Sequence, residues 1–308
     1  MGDYTKLKIA DVQTILALYN DDKVESLRAL SLGISNSNYE VKTDKSHYLL
    51  KVSNDKNIEE VQREMEILDF LSAKKYPYSL TPHHTKSNLS VYECGQYYGV
   101  LFPFLQGIPP GPSDDTCFEI GKALAKLHMI SGEFIGLRDS KEISLPPSFI
   151  KDYIKQKECP KDFKEAYHSL VDDSYFKYEF QRGVIHGDLY YDNTLFDQNH
   201  LSAVLDFEQS GVGEFIFDLG ISLSGSCLEK GRISAELIKS YLKGYESIRP
   251  IPDEERDILY QAVIWGLLSI SLWRIKRFTI GNLNPLMADS YKELLHRAMI
   301  FKEHINDI

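Results

Sequence analysis

Residues 184–208, VIHGDLYYDNTLFDQNHLSAVLDFE, constrain the chain more than any other stretch. They crowd His186, Asp188, Asn193 and Asp206 beside two short apolar runs, 183–185 and 203–205. Runs of β-branched and aliphatic residues bounded by turn formers read as buried strand ends. The polar groups between them therefore sit on a loop held at both ends. Such a loop presents carboxylates and an amide with little freedom, which is what positioning a metal-bound phosphate requires.

The residue types point to a division of labour. Mg²⁺ takes hard oxygen ligands and usually only one or two from protein, leaving the rest to phosphate and water. Asn193 and Asp206 supply such oxygens. Asp188, five residues before the asparagine, is then left to accept a proton from an attacking alcohol. The order H-x-D-x-x-x-x-N followed by D-F is that of kinase catalytic and metal loops. A polar surface turn with scattered acids would match it only if four independent positions coincided.

The combination HGDLYYDN, then DFE, then Asp218-Leu219 resembles the aminoglycoside phosphotransferase and choline kinase superfamily. Within it the chain looks most like bacterial type II homoserine kinases, over nearly its whole length. The resemblance implies an α+β, bilobal, protein-kinase-like fold. Its N-lobe, 1–104, would hold an antiparallel sheet with one long helix and bind nucleotide. A hinge over 105–112 would lead to a mainly helical C-lobe, 113–308, for catalysis and acceptor binding. ATP and Mg²⁺ are the implied cofactors, and a small-molecule alcohol the implied acceptor. His186 and Asp218 take supporting roles on this view, Asp218 tying down the catalytic loop backbone.

Composition narrows the alternatives. Lys plus Arg number 35 against 45 Asp plus Glu, a net charge of −10, which argues against a nucleic-acid partner needing a broad basic face. The four cysteines, Cys94, Cys117, Cys159 and Cys227, form no C-x-x-C pair and suit reduced thiols better than a disulfide framework. The segment MGDYTKLKIADVQ lacks a signal-peptide profile, and no apolar run reaches membrane-spanning length. A cytoplasmic protein without a membrane partner is the expectation, its oligomeric state open.

Before the central stretch, apolar spacing predicts a helix over 8–19 and strands over 27–32, 39–43 and 47–52. The connection 33–38, GISNSN, offers one glycine with Ser35 and Asn36 as phosphate contacts, though a plain hairpin turn fits equally well. Lys51 alternates with apolar neighbours and needs an anion if half-buried. Glu64, in a helix predicted over 58–73, is the candidate partner, as in the strand-lysine and helix-glutamate pair that orients ATP phosphates. An edge lysine beside a solvated glutamate is the competing reading. A strand pair over 89–92 and 97–102 leads to the breaker-rich hinge, where Phe104 is a nucleotide candidate.

Ser113 caps a helix that ends near His128, a residue better read as a hydrogen-bonded core histidine than as a ligand. Two helices, 148–157 and 161–180, then form an insertion within 132–181. Helices over 213–227, 233–247, 253–278 and 285–306 follow. The short interval between Asp206 and Asp218 leaves no room for a peptide-docking activation segment, so a protein kinase is disfavoured. A silent nucleotide-binding regulator is disfavoured by the intact Asp188, Asn193 and Asp206.

The acceptor is less legible. Trp273 could hold a quaternary ammonium, as choline needs, and Arg277 or Arg274 a carboxylate, as homoserine needs. Both tryptophans, Trp265 and Trp273, could equally be core. Tyr190, Tyr191 and Glu208 adjoin the catalytic groups. Homoserine is favoured over choline, ethanolamine or an aminoglycoside because type II homoserine kinases carry a comparable Trp-and-Arg helix.

Overall fold

The computed structural model describes residues 5–30, 36–131, 145–281 and 284–304. Ser35 lies outside them, as does most of the first part of the insertion. The chain forms two compact units, Met1–Gln106 and Gly107–Ile308.

The first unit is built on a five-stranded antiparallel sheet. Its elements are α1 (Ile9–Leu16), β1 (Val24–Leu30), β2 (Asn36–Thr43), β3 (His47–Ser53), α2 (Ile58–Ala73), β4 (Tyr92–Cys94) and β5 (Tyr97–Pro103). The strand order is β1-β2-β3-β5-β4. The two-residue period of a strand decides what each face carries. Tyr48, Leu50 and Val52 of β3 join Tyr39, Val41 and Leu101 in a core against Val12, Ile15 and Leu16 of α1. Lys51, between Leu50 and Val52, necessarily takes the other face, where it meets Glu64 of α2. A capping box fixes the start of α2: Asn57 Oδ1 accepts from Glu60 N at 2.9 Å, and Glu60 Oε2 accepts from Asn57 N at 3.0 Å.

The second unit is mainly helical. It contains α3 (Asp114–Ser131), α4 (Pro147–Tyr153), α5 (Lys161–Leu170), β6 (Arg182–Ile185), β7 (Thr194–Asp197), β8 (His200–Val204), β9 (Gly211–Glu214) and α6 (Phe215–Ser226). A small hairpin, β10 (Leu228–Glu229) and β11 (Arg232–Ile233), precedes α7 (Ala235–Glu246), α8 (Asp253–Asp257), α9 (Leu259–Arg274) and α10 (Tyr291–Glu303). Helices α6 and α9 are buried nearly all round and cross closely. A Cβ on Gly220 would lie 2.2 Å from the Ala262 carbonyl oxygen, and one on Gly266 2.8 Å from Ile221. Only glycine permits that approach.

Several expected elements differ. The apolar runs 183–185 and 203–204 lie in strands, as expected, and Leu205 falls just beyond. β6 pairs with β9, and β8 with β7, a strand hidden in the polar sequence TLFD. The helix expected from 213 begins at Phe215, because Gly211–Glu214 is spent on that pairing. The helix expected over 161–180 ends at Leu170, where Val171 turns extended and the Asp172 side chain caps a short 3₁₀ turn. The helix expected over 253–278 is interrupted at Ile258, and its end winds into π-helical turns over Ile275–Ile280. The first strand of the 89–92 pair forms three residues later, at Tyr92–Cys94, leaving Leu89 exposed.

Candidate active site

In the first unit, Lys51 Nζ lies 3.8 Å from Glu64 Oε1, with side chains 17% and 8% exposed. Lys56, a residue the sequence did not single out, reaches the other oxygen of Glu64 at 3.2 Å. Asn36 is buried in β2 opposite Ser53. Phe104 stacks on His47 at 4.1 Å between ring centroids, and its N–H donates to the His47 carbonyl at 3.0 Å.

In the second unit the loop after β6 is tied down from below. Asp218, in the first turn of α6 and fully buried, accepts from the backbone N–H groups of His186 (2.9 Å) and Gly187 (2.8 Å). His186 Nε2 donates to the Leu205 carbonyl at 2.8 Å, and its Nδ1 accepts from Asp188 N at 3.2 Å. One imidazole thus links the catalytic loop to the residue preceding Asp206. The Phe207 ring packs against it, with centroids 4.6 Å apart.

Asn193 closes the loop. Its Nδ2 donates to the Asp188 carbonyl at 2.7 Å and to Asp188 Oδ2 at 3.2 Å, while its own carbonyl accepts from Leu205 N at 2.8 Å. With Nδ2 so engaged, Oδ1 is the end that can meet a cation. Two backbone conformations complete the turn. Gly187 has φ +77°, with the Gln209 carbonyl 2.8 Å from where a Cβ would stand. Asp206 adopts φ 61°, ψ 62°, the left-handed region that aspartate tolerates better than most residues.

Burial, and after it the charges of Asp206, Asp192 and Glu208, hold the Asp188 carboxyl well above the usual carboxylate range; the Asn193 hydrogen bond opposes them only in part. A carboxyl raised in this way by its acidic neighbours fits a hard divalent cation, whose charge would remove the repulsion. Among the described residues no group of three or more His, Cys, Asp or Glu makes an all-protein metal cage. Mg²⁺, which takes few protein ligands, does not need one.

Beside Asp188 lies a cavity of about 210 Å³. The catalytic loop contributes Gly187, Asp188, Tyr190 and Asp192 to its wall, and α9 contributes Ser269, Ile270, Trp273 and Arg274. Gln209, Ile221 and Leu145 complete it. Of the acceptor candidates, Trp273 reaches this wall. Arg277 instead stacks over Trp273, 5.2 Å from the ring centroid, and Arg274 takes the place on the wall. Tyr190 lines the cavity and Tyr191 does not; the Tyr190 ring fills the space over Gly225, where a Cβ would lie 1.9 Å from it. Glu208 acts on Asp188 by charge. Trp265 is core, fully buried among Tyr167, Tyr175 and Phe176. Asp192, Gln209 and Ser269 were missed. The pairs Ser269/Trp273 and Ile270/Arg274, each four apart, were a legible stripe on α9.

His128 is the hydrogen-bonded core histidine expected. Its Nε2 donates to Asp218 Oδ2 at 3.0 Å and its Nδ1 accepts from the Tyr245 hydroxyl at 2.7 Å. Arg249 donates to that hydroxyl at 3.0 Å and forms a two-point pair with buried Glu255.

Known proteins resemble this chain over most of its length at low identity. The homoserine kinase of Methylobacillus flagellatus is 24% identical over 310 residues, covering 96% of this chain and 91% of its own. Two solved structures share the fold. An amicoumacin kinase in complex with AMP-PNP and Ca²⁺ has a TM-score of 0.72 at 16% identity, covering 93% of this chain and 92% of its own. A microcompartment-associated aminopropanol kinase has a TM-score of 0.68 at 18% identity, covering 96% and 98%. Residues 26–256 match the phosphotransferase enzyme family, APH, as a whole. The chain belongs to that family.

Proposed function

We propose that this phosphotransferase moves the γ-phosphate of ATP to the hydroxyl of a small amino alcohol, homoserine first. The observation that carries the reading is the bonding of Asn193 to Asp188 and, through Leu205, to the segment bearing Asp206. These bonds support a shared role for Asp188, Asn193 and Asp206. Mg²⁺ held by Asn193 and Asp206 would neutralise charge on the transferring phosphate.

The chain's own residues do the rest. Asp188 accepts the acceptor's hydroxyl proton as that oxygen bonds to the γ-phosphorus and the bond to the β-phosphate oxygen breaks. Asp218 and His186 hold the loop rigid, so that Asp188 does not wander from the reacting oxygen. Lys51, backed by Glu64, anchors nucleotide phosphate, with Asn36, Ser35 and Phe104 as further nucleotide contacts.

Homoserine is supported by the relatives that bear that name and by the cavity wall. Arg274 offers a carboxylate a guanidinium, and Asp192 offers an ammonium a carboxylate. Choline is less well served, because Arg277 already covers a face of Trp273. The deciding experiment measures ATP consumption with homoserine, 1-amino-2-propanol, ethanolamine, choline and kanamycin. Homoserine should give the highest kcat/KM. Preference for an amino alcohol without a carboxylate would overturn the homoserine reading, and inactivity with every alcohol would favour a silent regulator.

A further inference from the structure

The hydrogen bonds behind the catalytic loop all point one way. A guanidinium donates and has no lone pair with which to accept. Arg249 Nη1 therefore makes the Tyr245 oxygen an acceptor, at 3.0 Å. The single hydroxyl proton goes to His128 Nδ1, 2.7 Å away, and must meet a lone pair there. The imidazole proton is left on Nε2, which donates to Asp218 Oδ2 at 3.0 Å. Asp218 accepts in turn from the His186 and Gly187 amides, and Gly187 precedes Asp188. A carboxylate at one end and a guanidinium at the other thus demand the same tautomer of His128. A proton on Nδ1 would meet the hydroxyl proton head-on, and burial also disfavours a second proton on the ring.

Packing holds every member of this relay in place. His128, Asp218, Tyr245, Arg249 and Glu255 are each no more than 4% exposed. Glu255 fixes Arg249 by two bonds of 2.9 Å, and Gln181 Oε1 accepts a third at 2.9 Å. The His128 ring stacks on Phe215, the first residue of α6, with centroids 4.4 Å apart. The Arg249 guanidinium lies over the same ring, 5.3 Å from its centroid.

We propose that Tyr245 is a positioning residue for phosphoryl transfer, holding the backbone before Asp188 through His128 and Asp218, with Arg249 setting the direction of its hydroxyl. The inference rests on the reading of Asp188 as the base. Without the hydroxyl, His128 Nδ1 becomes a buried acceptor that has lost its donor, which is costly. The ring then turns to recover a partner, and Nε2 leaves the line to Asp218. The carboxylate loosens its hold on the Gly187 amide, and Asp188 strays from the acceptor hydroxyl.

The test combines nitrogen NMR of the full chain with steady-state kinetics. In wild type, His128 should be neutral with its proton on Nε2; a proton on Nδ1 overturns the inference without any variant. Tyr245→Phe keeps the ring and removes the oxygen. Its His128 Nδ1 resonance should move downfield, as a lone pair that loses a donor does. The amide protons of His186 and Gly187 should move upfield, as those of weakened hydrogen bonds do. With ATP and homoserine, or the alcohol ranked above it in the acceptor panel, kcat should fall roughly fivefold, the worth of one buried hydrogen bond, while KM for ATP stays within about twofold. Lost stability alone does not move the loop amides or separate kcat from KM. Unmoved amides or an unchanged kcat overturn the inference. Arg249→Lys keeps a cation beside Glu255 but no longer fixes the hydroxyl's direction. It should shift the same resonances by a smaller amount, and decides the matter if Tyr245→Phe does not fold. Asp188→Asn separates the two ideas: near-wild-type turnover there fails the base reading, whereas unmoved loop amides in Tyr245→Phe fail the relay alone.

Discussion

Asp188 sits half-buried among Asp192, Asp206 and Glu208, a setting hostile to its own charge. In the proposed mechanism Asp188 is a base held back until a counter-charge arrives, which would couple proton acceptance to cation binding. Asp188→Asn preserves the shape and the contact with Asn193 but removes the base. Turnover should fall at least about 100-fold with ADP binding retained; near-wild-type turnover on the true acceptor would exclude Asp188 as the base. Asp206→Ala should instead weaken nucleotide binding only when Mg²⁺ is present, read by titration with and without the metal. On the acceptor side, Arg274 is steadied by the Ser290 carbonyl at 2.8 Å. Arg274→Gln should raise KM for homoserine about tenfold or more, the usual cost of losing a charged hydrogen bond, while changing KM for 1-amino-2-propanol little. Equal losses on both would mean that no carboxylate is read there. At this scale the sequence was legible where spacing alone sets chemistry, as in the Asp188–Asn193 pair. It was not where two side chains of one helix compete for a wall, as Arg274 and Arg277 do.

Among elements, the α6–α9 crossing positions the loop, because α6 starts with the turn that carries Asp218. Its Ser222 hydroxyl also donates to the Leu189 carbonyl at 2.6 Å. The Gly220 contact makes this crossing sensitive to a single methyl group. Gly220→Ala should destabilise the protein by roughly 1–3 kcal/mol through overpacking against backbone, lowering the melting temperature. Gly111→Ala, where a Cβ meets nothing within 4 Å, should leave it nearly unchanged. Matching melting temperatures for the two variants would show that the helices can part at little cost. Periodicity foresaw the helices here but not the partners of the strands. The runs 183–185 and 203–205 read as strand ends flanking one loop, and β9 and β7 claim them through hydrogen bonds that no side-chain pattern announces.

Across the second unit, buried polar groups run from Glu255 and Arg249 through Tyr245 and His128 to Asp218 and the catalytic loop. Burial pushes the His128 imidazole below its ordinary value, outweighing the opposing pull of Asp218. For Asp218 burial works upward, but the hydrogen bonds from His128 and the Gly187 backbone prevail and keep its carboxyl below the usual value. The folded chain thus holds His128 neutral where the unfolded chain, with a value near 6.5, takes a proton. Its contribution is fully present above that value and is lost as pH falls below it. Asp218 acts with the same sign nearer pH 3.8. The stability advantage of wild type over His128→Gln, measured by denaturant midpoint, should shrink between pH 7.5 and 5.5; an advantage independent of pH would mean that His128 does not titrate on unfolding. By itself the sequence determined the family, the α+β class and the roles open to Asp188, Asn193, Asp206, Lys51 and Glu64, because those depend on residue type and short spacing. Tertiary structure alone decided that Lys56 shares Glu64, that Arg274 rather than Arg277 faces the cavity, and that Trp265 is core. Those outcomes depend on which faces of distant segments meet, and a side chain's neighbours across a fold leave no periodic trace in its own segment.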